Sequence, residues 1–285
     1  MRPKGPACAG PFVRTVVAQR PEASDRGCAA RSARRGARYT HGPSEEGERV
    51  LEFVAVEVGE GSSLGCSRCG TLPPHTYHPT DEVTARIRST VDAPTSAPGP
   101  NIVLTGPEPF GHPALPDLVA ACAEAGFERI GIETEGGALA VPGHAAGALG
   151  AGVAHLYVRV LATDEELADG LSGRPGLGHA VAAGIPAYLA AAEQAGITVC
   201  VTVVVPLCRH NLDSLPATVA ALSSWGVHAV RLEAAGQLSS GASVVIAAAC
   251  DTGMVNRLWV ETDPALDLPA SHLGHRVAGR VVRGD

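Results

Sequence analysis

Ser62-Ser63-Leu64-Gly65-Cys66-Ser67-Arg68-Cys69-Gly70 is the stretch on which the reading of this chain turns. It holds the closest pair among cysteines that otherwise lie at 8, 28, 122, 200, 208 and 250. Two thiolates at C-x2-C spacing can share one metal ion or cluster, or form a redox pair. The stretch follows Val50, Phe53, Val54, Val56 and Val58, a β-branched and apolar run that reads as a buried strand. Gly59, Gly61 and Gly65 break that strand into the cysteine loop. Read alone, the loop is half a metal site of unspecified kind.

Beyond the loop, strands and helices alternate. Thr80-Asp81 reads as a helix start, with Val83, Ile87 and Val91 at helical spacing. After a Pro/Ser/Gly linker over 93–100, a short strand at 101–104 runs into Thr105-Gly106-Pro107-Glu108-Pro109-Phe110. A helix is expected over 113–125, with Leu115, Leu118, Val119 and Cys122 on one face and Gly126 as its stop. A strand over 127–132 leads into Glu133-Thr134-Glu135-Gly136-Gly137, and a Gly-broken helix over 138–150 follows. The remaining expectations are a strand at 153–161, a polar loop at 162–178, a helix at 179–195 and a strand at 197–205. A helix at 214–224 and a strand at 227–232 complete the sixth unit, and 244–250 and 258–261 read as two further strands. Alternation with helices of this length implies βαβ crossovers and a parallel sheet. Sites in such sheets form at the carboxyl ends of strands. That rule gathers Cys66, Cys69, Glu108, Glu133, Glu135, Asp169, Cys208 and Asn211 on one rim.

Composition narrows the class. Aromatics are 4% of 285 residues, so Ala, Val and Leu must supply most of the packing. Residues 1–50 hold ten Lys/Arg against five Asp/Glu, while the rest of the chain holds twelve against twenty-four. An acidic body argues against a nucleic-acid surface. Cysteine is too sparse for a secreted disulfide framework. No apolar run approaches the length that spans a bilayer, and no apolar segment near the N-terminus precedes a small-residue cleavage site. A cytoplasmic protein is expected, without membrane or nucleic-acid partners. Residues 1–47, with Arg31, Arg34, Arg35 and Arg38, read as a disordered basic tail.

Over roughly residues 50–235 the chain resembles the radical S-adenosylmethionine (radical SAM) superfamily. Cys66 and Cys69 match the second and third cysteines of its C-x3-C-x2-C loop, with Ser62 at the first position and Arg68 where an aromatic often stands. Gly106-Pro107-Glu108-Pro109 resembles the family's Gly-Gly-Glu-Pro motif, Pro107 replacing the second glycine. Thr134-Glu135-Gly136 with Leu139 resembles Thr-Asn-Gly-x-x-Leu, and Asp169 to Gly176, with Arg174, resembles the loop after the fourth strand. Asn211 follows the fifth strand, where many members carry Asn. The resemblance implies a partial (β/α)6 TIM-like barrel over 48–235, with a short β extension over 236–285. It implies a [4Fe–4S] cluster on Cys66, Cys69 and Ser62. It also implies SAM held by Gly106, Pro107, Glu108, Pro109, Thr134, Glu135 and Asn211, an electron donor, and a small-molecule or peptide substrate.

The donor set leaves alternatives open. Thiolates suit iron–sulfur clusters, whereas a serine hydroxyl is a harder ligand and normally protonated. Ser62 is either the third ligand, as an alkoxide favoured by the metal's charge, or a residue capping the turn. His75, His78 and Cys208 are further candidates to complete the cluster. Cys66-x2-Cys69-Gly70 with His75-x2-His78 also has the composition of a structural zinc site. The chain therefore reads as a SAM-cleaving enzyme, an inactive relative serving as a scaffold, or a zinc-stabilised α/β protein.

Overall fold

A computed structural model describes residues 53–61, 75–91, 101–235, 238–239, 241–263, 266 and 268. The basic tail and the Ser62, Cys66 and Cys69 loop lie outside the described residues. Strand β1 (Val54–Glu57) is followed by a short ribbon, β2 (Gly59–Glu60) with β3 (Thr76–Tyr77), and by helix α1 (Thr80–Ser89). The chain continues as β4 (Ile102–Thr105), α2 (Leu115–Glu124), β5 (Ile130–Thr134), α3 (His144–Gly150) and β6 (Val153–Arg159). It then forms α4 (Glu165–Ser172), α5 (Leu177–Ala195), β7 (Cys200–Leu207) and α6 (Leu215–Ser224). The last elements are β8 (Ala229–Ala234), α7 (Ala242–Val255) and β9 (Trp259–Thr262).

Seven of these strands form one parallel sheet in the order β1-β4-β5-β6-β7-β8-β9. Among the described residues, the edge strands β1 and β9 share no ladder and the sheet does not close into a barrel. The order never reverses, and right-handed crossovers in a monotonic order place every connecting helix on the same face. That face holds the main core: Val54, Ile102, Ile132, Leu156, Val203, Leu232 and Val260 from the strands pack with Ile87, Leu118, Ile185, Val219 and Ile246 from the helices. Among the described residues, the opposite face carries a small apolar cluster, Phe53, Val103, Tyr157 and Val204. Strand periodicity puts Glu57, Thr105, Glu133, Arg159, Arg231, Glu233 and Glu261 on that second face.

Three local expectations are corrected. Residues 244–250 are the middle of helix α7. Its buried positions, Ala242, Ile246, Ala247, Ala249, Cys250 and Gly253, follow helical spacing, and parallel β8 and β9 need a crossover between them. The run Val244-Val245-Ile246 gave a β signal that the tertiary connection overrides. Residues 258–261 are a strand as expected: β9 is the edge strand that extends the same sheet. The loop expected over 162–178 contains α4, capped by the Asp164 carboxylate accepting from Leu167 N–H at 2.8 Å and ended by Gly173 in the left-handed region. The helix expected over 138–150 is split at Gly143 (φ +87°) into a 3-10 turn, Gly137–Ala140, and α3.

Candidate functional site

The carboxyl ends of β4 and β5 meet at Glu108. Gly106 leaves β4 with φ +113°, and a Cβ on it would lie 3.2 Å from the Gly59 carbonyl oxygen. The chain then turns through buried Pro107 into the 3-10 turn Pro109–Gly111, which Glu108 caps by accepting from Phe110 N–H at 3.1 Å. The same carboxylate receives the Thr134 hydroxyl, 2.8 Å from each oxygen, and Glu135 N–H at 2.8 Å. Burial nonetheless pushes the Glu108 acid constant up to about 7, against the pull of the Thr134 and Phe110 hydrogen bonds. A carboxyl titrating near neutrality at a strand-end rim can receive a cation or exchange a proton.

The network extends sideways. Buried Glu135 is paired with the half-exposed Arg174. Asp169 accepts from Gly178 N–H at 2.8 Å and from Gly176 N–H, so it caps α5 and orders the loop that carries Arg174; these bonds lower its acid constant. Glu133 accepts from the Thr105 hydroxyl and from Arg159 Nη1 at 2.6 Å, and Arg159 also lies 3.5 Å from Glu233. Arg231 meets Glu261 at 2.9 Å and sits 5.7 Å over the Tyr157 ring. One chain of contacts thus runs from the β4 loop through the β5 loop to the entry of α5. A second crosses the less covered face from β5 to β8.

Asn211 is placed differently. Its Nδ2 donates to the Leu161 and Pro206 carbonyls at 2.9 Å, and its Oδ1 accepts from Cys208 N–H at 2.8 Å. It is 1% exposed and clasps the ends of β6 and β7. Cys208 is also buried.

Ser62, Cys66 and Cys69 lie outside the described residues, but both ends of their loop are placed. Gly59 and Glu60 pair with Tyr77 and Thr76. Val58 N–H donates to Thr105 O at 2.8 Å, and His78 N–H to Val58 O at 2.9 Å. Tyr77 O–H donates to the Glu108 carbonyl at 2.9 Å. A Cβ on Gly59 would fall 2.2 Å from Thr76 O, and one on Gly111 2.2 Å from the Tyr77 hydroxyl, so glycines make both close approaches possible. The stem of the cysteine loop therefore stands directly on the Glu108 turn. His75 is exposed, and His78 Nδ1 lies 3.8 Å from Glu82. Among the described residues, no three His, Cys, Asp or Glu side chains are grouped to hold a metal ion.

The sequence reading missed Tyr77, Gly111 and His112, which join the stem to the Glu108 turn. Gly111 and His112 stand within four residues of Glu108, in Glu108-Pro109-Phe110-Gly111-His112-Pro113. A glycine and a histidine between prolines beside the best carboxylate candidate were the available signal.

No family model matches the chain, and no curated protein matches it by sequence. Among solved structures it is similar to SuiB from Streptococcus suis bound to precursor peptide SuiA, with TM-score 0.51 and 12% identity over 75% of this chain and 50% of SuiB. SuiB bound to S-adenosylmethionine gives TM-score 0.51 and 12% identity over 75% and 48% of the two chains. The chain spans about half the length of SuiB. The likeness shows the fold alone, a parallel α/β sheet with its connecting helices like that in SuiB. Among the described residues, no helix is long and apolar enough to cross a membrane.

Proposed function

We propose that the chain is a radical SAM-type protein whose sheet curves as a partial barrel around a [4Fe–4S] cluster and SAM. One observation supports the reading: the ribbon of β2 and β3, which flanks residues 62–74 in sequence, stands on the turn presenting Glu108, as Tyr77 O–H donates to Glu108 O at 2.9 Å. The donor set fits the cluster in kind, with two thiolates from Cys66 and Cys69 and the Ser62 hydroxyl as third ligand. The rim fits a cationic amino-acid group, because the Glu108 carboxylate is oriented by Phe110, Thr134 and Glu135 before any ligand arrives. When held by these residues, the cluster would pass one electron from an external donor to SAM, supplying reductive cleavage chemistry for hydrogen abstraction from a substrate.

The chain's own residues bind and orient. Glu108 receives the SAM ammonium group, Thr134 and the Glu135 N–H hold that carboxylate in place, and Gly106 and Pro107 shape the turn. Arg174 neutralises Glu135, keeping a second buried carboxylate from competing for the cation. The substrate, a small molecule or a peptide, meets the polar face carrying Glu133, Arg159 and Glu233. A cytoplasmic setting agrees with the free thiols of Cys122 and Cys250, whose acid constants burial pushes up to about 12 and about 11.

Anaerobic reconstitution followed by metal and acid-labile sulfide analysis tests this reading. About four irons with matching sulfide are expected per chain. A colourless chain holding one zinc would overturn it. The second reading, an inactive scaffold, is favoured by the hydroxyl at Ser62. Ser62→Cys separates the two: the variant holds its iron at least as fully as wild type, and more firmly against a chelator, if residues 62–69 are a cluster loop, and stays at background in a scaffold.

A further inference from the structure

One buried imidazole ties the exit of the cysteine loop to the Glu108 turn. His112 follows the 3-10 turn and is 4% exposed. Its Nδ1 accepts from Ala114 N–H at 3.1 Å, so the neutral ring carries its proton on Nε2. Nε2 lies 3.1 Å from the His78 carbonyl oxygen, which can only accept. The Tyr77 ring stands edge-on to the imidazole at 5.3 Å, and its hydroxyl reaches the Glu108 carbonyl. The two nitrogens serve different elements: Nδ1 orders the entry to α2, and Nε2 holds the segment leaving the loop.

The stem needs such a tie. Its ribbon pairs only Gly59–Glu60 with Thr76–Tyr77, and an isolated ribbon this short is not stable by itself. A loop over 62–74 that swung on that ribbon could not keep its thiolates at a constant distance from Glu108. Resting on the reading of residues 62–69 as a cluster loop, we propose that His112 is a positioning residue: its Nε2–H bond to His78 sets the loop's exit against the Glu108 turn.

Two isosteric variants divide the ring's duties. His112→Asn keeps an acceptor where Nδ1 stood but cannot reach His78, and His112→Gln keeps a donor at the reach of Nε2. Amide hydrogen exchange of the full-length, metal-free protein reads the stem directly. His112→Asn is expected to speed exchange of the His78 amide by roughly tenfold, the loss of one buried hydrogen bond, while His112→Gln stays close to wild type. After reconstitution, His112→Asn should release iron to a chelator several-fold faster than His112→Gln. Equal exchange in both variants, whether raised or unchanged, overturns the proposal. Nitrogen-15 shifts of His112 in the wild-type protein need no variant to fold: a proton on Nδ1 overturns it, and a proton on Nε2 supports it. A wild-type chain that takes up no cluster overturns the cluster reading, whereas the exchange pattern and the tautomer decide the tie.

Discussion

The Thr134 hydroxyl lies 2.8 Å from both carboxylate oxygens of Glu108, so the end of β5 holds the acidic group carried by the turn after β4. Both residues sit at carboxyl ends of neighbouring parallel strands, where this fold class collects its chemistry. The bond orients a carboxylate that burial would otherwise drive toward its neutral form.

Removing that donor leaves a largely buried carboxylate with backbone partners alone. Thr134→Val should destabilise the chain by about 1–3 kcal/mol at pH above 7, read by denaturant unfolding. In a Glu108→Gln background the same substitution should cost distinctly less, because the charged acceptor is gone.

Glu108 makes stability depend on pH in a defined window. Its folded-state acid constant, about 7, stands above the ordinary 4.5, so the native chain binds the proton more tightly than the unfolded chain. Its contribution is complete below pH 4.5 and is lost as pH rises through about 7. Unfolding free energies across this range should fall by roughly 3 kcal/mol, and Glu108→Gln should remove that slope.

Binding should move the opposite way. The ammonium of SAM bonds to the carboxylate form, so SAM affinity should rise with pH through about 7. Calorimetric titration of Glu108→Gln should show a flat profile and affinity weaker by roughly tenfold to a hundredfold.

Gly111 and Tyr77 form a matched pair. Gly111→Ala places a methyl 2.2 Å from the Tyr77 hydroxyl and must displace it from the Glu108 carbonyl. Thermal unfolding should show a loss of about 1–3 kcal/mol, and adding Tyr77→Phe should recover part of it by removing the clashing oxygen.

Much of this was legible in the order of residues. The alternation of apolar runs with helix-length segments pointed to a parallel sheet, and the strand-end rule put Glu108, Glu133 and Glu135 on one rim, while Thr134 entered only through the family resemblance. Two things were hidden. The apolar run 244–250 carries β-branched residues inside an Ala-rich stretch, and only the need to cross between β8 and β9 makes it helical. The stem contacts pair Tyr77 with Glu108 and His112 with His78, thirty or more residues apart, and no periodicity announces such a bond. The ion pairs of the second face were visible only at Glu133, which the strand-end rule put on the rim, while nothing in the sequence singled out Arg159 or Glu233. That Arg159 reaches both carboxylates follows from the sheet's register and shape.

The central claim is that the loop of Ser62, Cys66 and Cys69 and the Glu108 turn together hold a cluster and SAM for radical chemistry. Its most direct test is the yield of 5′-deoxyadenosine from SAM when the anaerobically reconstituted wild-type protein is reduced with dithionite. The account predicts 5′-deoxyadenosine that depends on the bound iron and falls sharply in Glu108→Gln. Iron-loaded protein that binds SAM and yields no 5′-deoxyadenosine would contradict it.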